Sequence, residues 1–440
     1  MSTSQINVKF VFAKQSLVGH IWQCYNELAV FRIQQKVSGL RKGGIMRLIE
    51  RDHYLNELRQ VRGIPDIKVI TGLRRCGKSK LMDCFAAELS KEKNMNVIRI
   101  NMNLKENEPL KDSEKLYQYV HACYMKNKEN YLFIDEIQMC TNFETVINSL
   151  HDEECFDIYI TGSNAFLMSS DLATLFRGRV YEISVFPFSF AEYVKYYKSA
   201  DINKAFDDYV LSGGLAGSYL YKTREQALSY VKSVFRTTVV RDIVEKYHIE
   251  NEELLIMLSD FLMDNIGNKT SVRNISNCLP GKTNDKTVGT YLVYLSRAFM
   301  FYPMRRYDIK GKKYFETDKK YYLADTSLRF AELGSRTPDW GRLYENIVAI
   351  ELLRRGYEVY VGVLYDKEVD FIAIKNGQKT YIQVCDDIRK EDTLKREITP
   401  LLSIKDAYPK IVITRTGHEE TQTDGIRIID IAQWLLNEPL

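Results

Sequence analysis

The chain has 440 residues, 45% hydrophobic and 27% charged, with a formal net charge of +4 at pH 7. That length exceeds a single hydrophobic core, and at about 150 residues per domain it predicts about three domains. No apolar run approaches the roughly 20 residues needed to cross a bilayer, and the small net charge excludes nucleic-acid binding through bulk charge, leaving only local basic patches.

The eight cysteines, Cys24, Cys76, Cys84, Cys123, Cys140, Cys155, Cys278 and Cys385, are scattered without a C-x-x-C pair. This pattern suits reduced thiols in a cytoplasm and offers no zinc site. Near the N-terminus, Lys9, Lys14 and His20 interrupt the apolar residues, so the segment is not a secretory signal. Two readings of residues 1–45 stand: an ordinary helical extension, or a stretch upstream of a natural start at Met46. The second is favoured by Arg41-Lys42-Gly43-Gly44, which purine-rich codons resembling a ribosome-binding site can encode.

From Met46 onward the pattern is regular. Leu48, Tyr54, Leu55 and Leu58 share a helical face. The run Ile67-Lys68-Val69-Ile70 then leads into Gly72-Leu73-Arg74-Arg75-Cys76-Gly77-Lys78-Ser79, which reads G-x-x-x-x-G-K-S, and Leu81, Phe85 and Leu89 continue as a helix. Strand, glycine-rich turn and helix together are what a P-loop requires. Its backbone N–H groups and the helix N-terminus cradle phosphate oxygens. Gly72, Arg74, Arg75, Cys76, Gly77, Lys78, Ser79 and Lys80 are therefore the candidate ATP-binding residues. Lys78 would reach the β- and γ-phosphates, and the Ser79 hydroxyl would bind Mg²⁺.

Further strands are expected at 97–101, 131–134, 158–160 and 180–185, with helices at 116–125 and 143–150. Strands alternating with helices predict a three-layer α/β domain with right-handed crossovers. Asp135-Glu136 ends the buried run Tyr131-Leu132-Phe133-Ile134, where two acids are costly unless they bind a cation or are solvated. Asp135 is placed to hold Mg²⁺ through water, and Glu136 to orient and deprotonate the attacking water. Asn164 is a candidate sensor of the γ-phosphate, with Ser163 and Thr161 as alternatives. Arg177 and Arg179 are candidate arginine fingers, and Arg236 and Arg241 are others.

Residues 200–250 read as helical with a break at Gly213-Gly214. Helices at 254–263, after Ser271 and at 287–295 precede two aromatic-rich strands joined at Lys310-Gly311-Lys312, the order of a winged helix-turn-helix. The hairpin carries Arg305, Arg306, Lys310, Lys312, Lys313, Lys319 and Lys320 among Tyr302, Tyr307, Tyr314 and Phe315. Arg305, Arg306, Lys310, Lys312 and Lys313 are the candidate DNA contacts, neutralising phosphates while a helix enters a groove. A helix at 343–353 and strands at 359–361, 369–374, 381–384 and 411–414 return the chain to α/β.

Residues 46–192 resemble the bacterial and archaeal AAA+-type ATPases with a G-x-R-R-x-G-K-S loop. The resemblance rests on Gly72 to Ser79, on Leu132-Phe133-Ile134-Asp135-Glu136-Ile137-Gln138, and on Thr161-Gly162-Ser163-Asn164. It also rests on Gly178-Arg179 followed by Phe186-Pro187-Phe188-Ser189-Phe190. Tyr322-Leu323-Ala324-Asp325-Thr326 and Gly341-Arg342-Leu343-Tyr344-Glu345-Asn346 resemble signatures of the family's C-terminal half, a domain of unknown function that ends in a restriction-endonuclease-like fold.

The resemblance implies an ATPase core at 46–195, a helical lid or connector at 196–251, a winged-helix part at 252–335 and a nuclease-like α/β domain at 336–440. In PD-(D/E)XK nucleases, carboxylates bind Mg²⁺ and a lysine positions water. Glu345 fits the helix acid and Asp370 the strand acid. The next strand carries Gln383 where the second acid belongs and Cys385 where the lysine belongs, so the site is read as vestigial and inactive, with Lys367 or Lys379 as the only substitutes considered. Two functions then compete: an ATPase whose nucleotide state controls DNA or RNA binding, and a slowly hydrolysing nucleotide-dependent switch that assembles with protein partners, as in signalling or defence, or with copies of itself. An active ATP-dependent nuclease is a distant third.

Overall fold

The computed structural model describes residues 49–162, 174–279, 283–334 and 338–437. The N-terminal extension, Ser163 and Asn164 lie outside these residues. The described residues divide into two compact units, one within 49–72 and 77–185, the other Leu73–Cys76 with those within 186–437.

In the first unit α1 (Asp52–Gln60) precedes β1 (Ile67–Thr71), the P-loop and α2 (Lys78–Leu89). Then follow β2 (Met95–Asn101), α3 (Ser113–Ala122), β3 (Glu129–Asp135), α4 (Phe143–Asp152), β4 (Asp157–Thr161) and β5 (Val180–Ser184). The five strands form one sheet in the order β2-β3-β4-β1-β5, every pair parallel. Parallel sheets are covered on both faces, which is why β1 and β4 read as nearly continuous apolar runs. One face buries Ile67, Val69, Leu132, Ile134, Ile158 and Ile160 against Leu116, Val120, Ile147 and Leu150 of α3 and α4. On the other face Phe133 and Tyr159 stack at 4.8 Å, and Phe85 of α2 meets both. Lys68 is fully buried in β1 and pairs with Asp157 at 2.5 Å, which compensates a charge that burial would otherwise penalise.

The second unit begins with α5 (Phe190–Tyr197), whose N-terminus is closed by a Ser189–Glu192 capping box, then α6 (Ile202–Ser212) and α7 (Arg224–Val239). A π-helical turn, Val240–Glu245, extends α7. Next come α8 (Glu252–Asp264), α9 (Val272–Cys278), α10 (Asp285–Arg297), β6 (Phe301–Asp308), β7 (Lys313–Leu323), α11 (Thr326–Leu333) and α12 (Trp340–Arg354). The chain ends in β8 (Glu358–Leu364), β9 (Lys367–Lys375), β10 (Gln378–Cys385), α13 (Glu391–Leu402), β11 (Lys410–Thr414), β12 (Thr421–Thr423), β13 (Ile426–Asp430) and α14 (Ile431–Leu436). Among the described residues no helix is long and apolar enough to cross a membrane.

The strands of this unit form a single mixed sheet, β12-β13-β11-β10-β9-β8-β6-β7. The hairpin expected as a free wing is therefore the edge of the C-terminal sheet: β6 runs parallel to β8, with Arg306 opposite Val361 and Tyr307 opposite Gly362. The expected boundary at 335/336 is crossed by this pairing. Gly362 of β8 leaves room for both neighbours, because a Cβ there would stand 3.0 Å from the Val369 side chain of β9 and 3.2 Å from that of Ile309, which follows β6.

The Gly213-Gly214 break and the Leu323-Ala324-Asp325-Thr326 signature explain one another. Asp325 caps α11 and also accepts the Gly214 N–H at 2.5 Å. A Cβ on Gly213 would fall 1.9 Å from the Asp325 carboxylate, so only glycine permits this approach. Burial pushes the Asp325 carboxyl up from 3.8 to about 6, against the opposing pull of Ser327 and Gly214. A raised carboxyl pKa stabilises the fold below the ordinary value and loses that contribution as pH rises through the folded value. Asp325→Asn should therefore gain about 2–3 kcal/mol on the wild type between pH 4 and 7. Denaturant unfolding of both proteins across this range checks it; a difference independent of pH would contradict it.

Candidate nucleotide site

The first unit brings the ends of β1, β2, β3 and β4 to the start of α2, the end of a parallel sheet where ligands bind in open α/β folds. The loop needs its glycines for conformation: Gly72 has φ 134° and Gly77 φ 107°, while a Cβ on Gly77 would meet only the Arg51 side chain at 3.7 Å. Space is available there, and backbone geometry sets the restriction. Lys78 is the first residue of α2, is buried, and donates to the Gly72 carbonyl at 2.8 Å, so its ammonium lies within the loop.

Asp135 is 1% exposed and accepts from three sides. Ser79 Oγ donates to Oδ1 at 2.9 Å, Thr161 Oγ1 to Oδ1 at 2.5 Å, and Asn101 Nδ2 to Oδ2 at 3.0 Å. Thr161 in turn accepts the Glu136 N–H at 3.1 Å. Glu136 has φ 60° and ψ 49°, a left-handed conformation that costs a non-glycine residue strain and is concentrated at functional positions. Gln138 holds the Glu136 carboxylate at 2.5 Å. Hydroxyl and carboxylate oxygens facing one another are the hard donors that suit Mg²⁺, so the residues present fit that ion.

Other expected residues are placed elsewhere. Within the second unit, Arg74 makes a bidentate pair with the buried Asp242 of the π-helical turn, at 2.9 and 2.7 Å. Arg75 is in the left-handed region with φ 66°, Cys76 is buried, and Lys80 is exposed and pairs with Asp83 at 3.3 Å. Arg177 and Arg179 both pair with Asp152 at the end of α4, Arg177 at 3.7 Å. Asn101 was not anticipated, although it ends β2 as Asp135 ends β3; Gln138 stood in the D-E-I-Q run without an assigned role.

The expected nuclease-like residues meet around an unforeseen one. Glu345 on α12 and Asp370 on β9 both face Lys320 of β7, whose Nζ lies 2.9 Å from Glu345, 3.8 Å from Asp370 and 2.7 Å from Glu368. Lys320 is 1% exposed, so it is not one of the hairpin's surface cations. Burial opposes its charge, but the surrounding carboxylates outweigh burial and raise its pKa. Gln383 accepts the Asp370 N–H at 3.4 Å and donates to Glu397 at 3.1 Å, and burial pushes the Cys385 thiol up to about 12. Of the substitutes considered, Lys367 bonds Ser403 and Lys379 bonds Tyr307. Arg305, Lys310, Lys312 and Lys313 are exposed, whereas Arg306 is half-buried and pairs with Asp318 at 3.8 Å.

Fold and loop together define a P-loop nucleotide-binding protein of the AAA+ type. A family described as an AAA domain matches residues 65–194, and one described as a domain of unknown function (DUF8612) matches residues 203–339. An uncharacterized protein of Haemophilus influenzae is 37% identical over 400 residues, covering 88% of this chain and 99% of that protein. An uncharacterized protein of Methanocaldococcus jannaschii is 29% identical, covering 80% and 82%. The chain belongs to the AAA+-type P-loop ATPase family that it shares with the Haemophilus protein. Among solved structures, the Aeropyrum pernix ORC1 protein in complex with DNA covers 65% of this chain and 92% of its own at 12% identity, TM-score 0.29. The replication initiator DnaA bound to AMPPCP and single-stranded DNA covers 57% and 89% at 13% identity, TM-score 0.30.

Proposed function

We propose that the protein binds ATP with Mg²⁺ at the Gly72–Ser79 loop, hydrolyses it, and uses the nucleotide state to control DNA binding by its second unit. The hydrogen-bond chain Ser79–Asp135–Thr161–Glu136 is the observation that carries this reading. Bound Mg²⁺ would neutralise charge on the phosphoryl group being transferred. Ser79 would ligate it directly and Asp135 through water, with Asn101 and Thr161 fixing the carboxylate. Lys78 would leave the Gly72 carbonyl for the β- and γ-phosphate oxygens. Glu136, held by Gln138, would take the proton of the attacking water.

DNA binding draws its support from the hairpin surface. Arg305, Lys310, Lys312 and Lys313 are exposed, Tyr314 is half-exposed, and Arg305 lies over its ring at 5.9 Å. Neutralising four phosphates would give a slope of log affinity against log salt of about −3 to −4. Phosphate release with and without duplex DNA, with a salt titration of binding, tests the coupling. We expect faster turnover with DNA and that salt slope. ATP-dependent assembly with no effect of DNA would instead favour the protein-partner switch.

A further inference from the structure

Three carboxylates converge in the second unit, two of them shielded from solvent: Glu345 is 4% exposed and Asp370 8%, whereas the Glu368 side chain, 37% exposed, lies at the open rim. Because buried acids of like charge repel and lose hydration together, such a group takes up a proton, as burial beside Glu345 pushes the Asp370 carboxyl up to about 8, or gains a cation. Lys320 supplies it, with its ammonium 2.9 Å from Glu345, 2.7 Å from Glu368 and 3.8 Å from Asp370.

The surrounding bonds fix the arrangement. Tyr322 donates to Glu345 Oε1 at 2.6 Å, Arg342 to Oε2 at 3.2 Å, and the Val384 N–H to Asp370 Oδ2 at 2.9 Å. Gly267 closes the approach from one side, since a Cβ there would stand 3.1 Å from Glu345. Among the described residues no group of three or more His, Cys, Asp or Glu side chains is arranged to hold a metal ion. The lysine comes from β7, far in sequence from the strand on which a nuclease would carry it, and points into the centre of the carboxylates rather than beside them.

We propose that the Lys320 ammonium is the resident cation of the Glu345–Glu368–Asp370 pocket, standing in for a divalent ion and closing the pocket to metal-dependent phosphodiester cleavage. This deepens the nuclease-like reading of Glu345 and Asp370. A lysine is a permanent monovalent occupant tethered to the sheet, so the pocket holds its charge without depending on the metal supply.

The test is metal-linked stability of the full chain without nucleotide, a readout separate from cleavage, so that a wrong occupant is told apart from a wrong nuclease-like reading. Lys320→Met removes the ammonium and keeps an unbranched apolar stem one atom shorter. It should lower Tm by about 10 °C. Mn²⁺ at about 100 times its Kd should then raise the variant's Tm by about 5–10 °C while moving the wild type by less than about 1 °C. The double variant Lys320→Met with Glu345→Gln should lose that rise. Mn²⁺ bound by the wild type and released by Asp370→Asn, followed by electron paramagnetic resonance, would overturn the proposal. So would a Lys320→Met protein, folded or unfolded, that Mn²⁺ leaves unchanged.

Discussion

Lys78→Ala is expected to weaken ATP binding by about 100-fold or more. The ammonium sits inside the loop on the Gly72 carbonyl and can make charge-assisted bonds to phosphate, each worth about 1.5–3 kcal/mol. Two such bonds lost correspond to a factor of about 100 to 10,000 in affinity. The fold should survive, because alanine is a strong helix former at the first position of α2 and the apolar contacts of Leu81, Met82 and Phe85 are untouched. Titration calorimetry with ATP and Mg²⁺ reads the loss directly. Affinity within about threefold of the wild type would mean that this loop does not hold the phosphates.

Glu136→Gln should separate binding from turnover. Removing a general base costs about 100- to 10,000-fold in rate. The amide keeps the shape of the side chain and its contact with Gln138, and neither Ser79 nor Asp135 is altered. Phosphate release should fall by at least about 100-fold while ATP affinity stays within about threefold. A variant that hydrolyses at the wild-type rate would remove Glu136 from the chemistry and leave its left-handed backbone without that explanation.

The contrast between these residues and Lys320 shows what the sequence could carry. The P-loop and Asp135-Glu136 were legible because each is a local pattern: glycines at fixed spacing between a strand and a helix, and acids where a buried strand stops. Asn101 shared the second signal, ending a strand beside β3, but a lone amide has no motif. The network on Asp135 depends on which strands become neighbours, and β1 is preceded in the sheet by β4 and followed by β5.

Non-local pairing also explains the corrected hairpin. From sequence, β6 and β7 are an antiparallel pair with a basic turn, which suits a wing; their fusion to β8 requires contacts between residues about fifty positions apart. The same pairing turns Lys320 inward while Lys310, Lys312 and Lys313 remain in solvent. In an alternating strand, neighbours such as Lys319 and Lys320 face opposite ways, so a run of cations cannot be assigned to one surface until its sheet is known. Arg74 gives a parallel case. Its motif position suggested phosphate, and its guanidinium is bonded to Asp242, 168 positions away.

The most direct test of the central claim is the steady-state release of phosphate from ATP by the wild-type protein, in Mg²⁺ and again in excess chelator. The account predicts turnover with Mg²⁺ that stops when the ion is removed and that Glu136→Gln does not sustain. No ATP turnover under any nucleotide-saturating condition, or equal turnover in chelator, would contradict it.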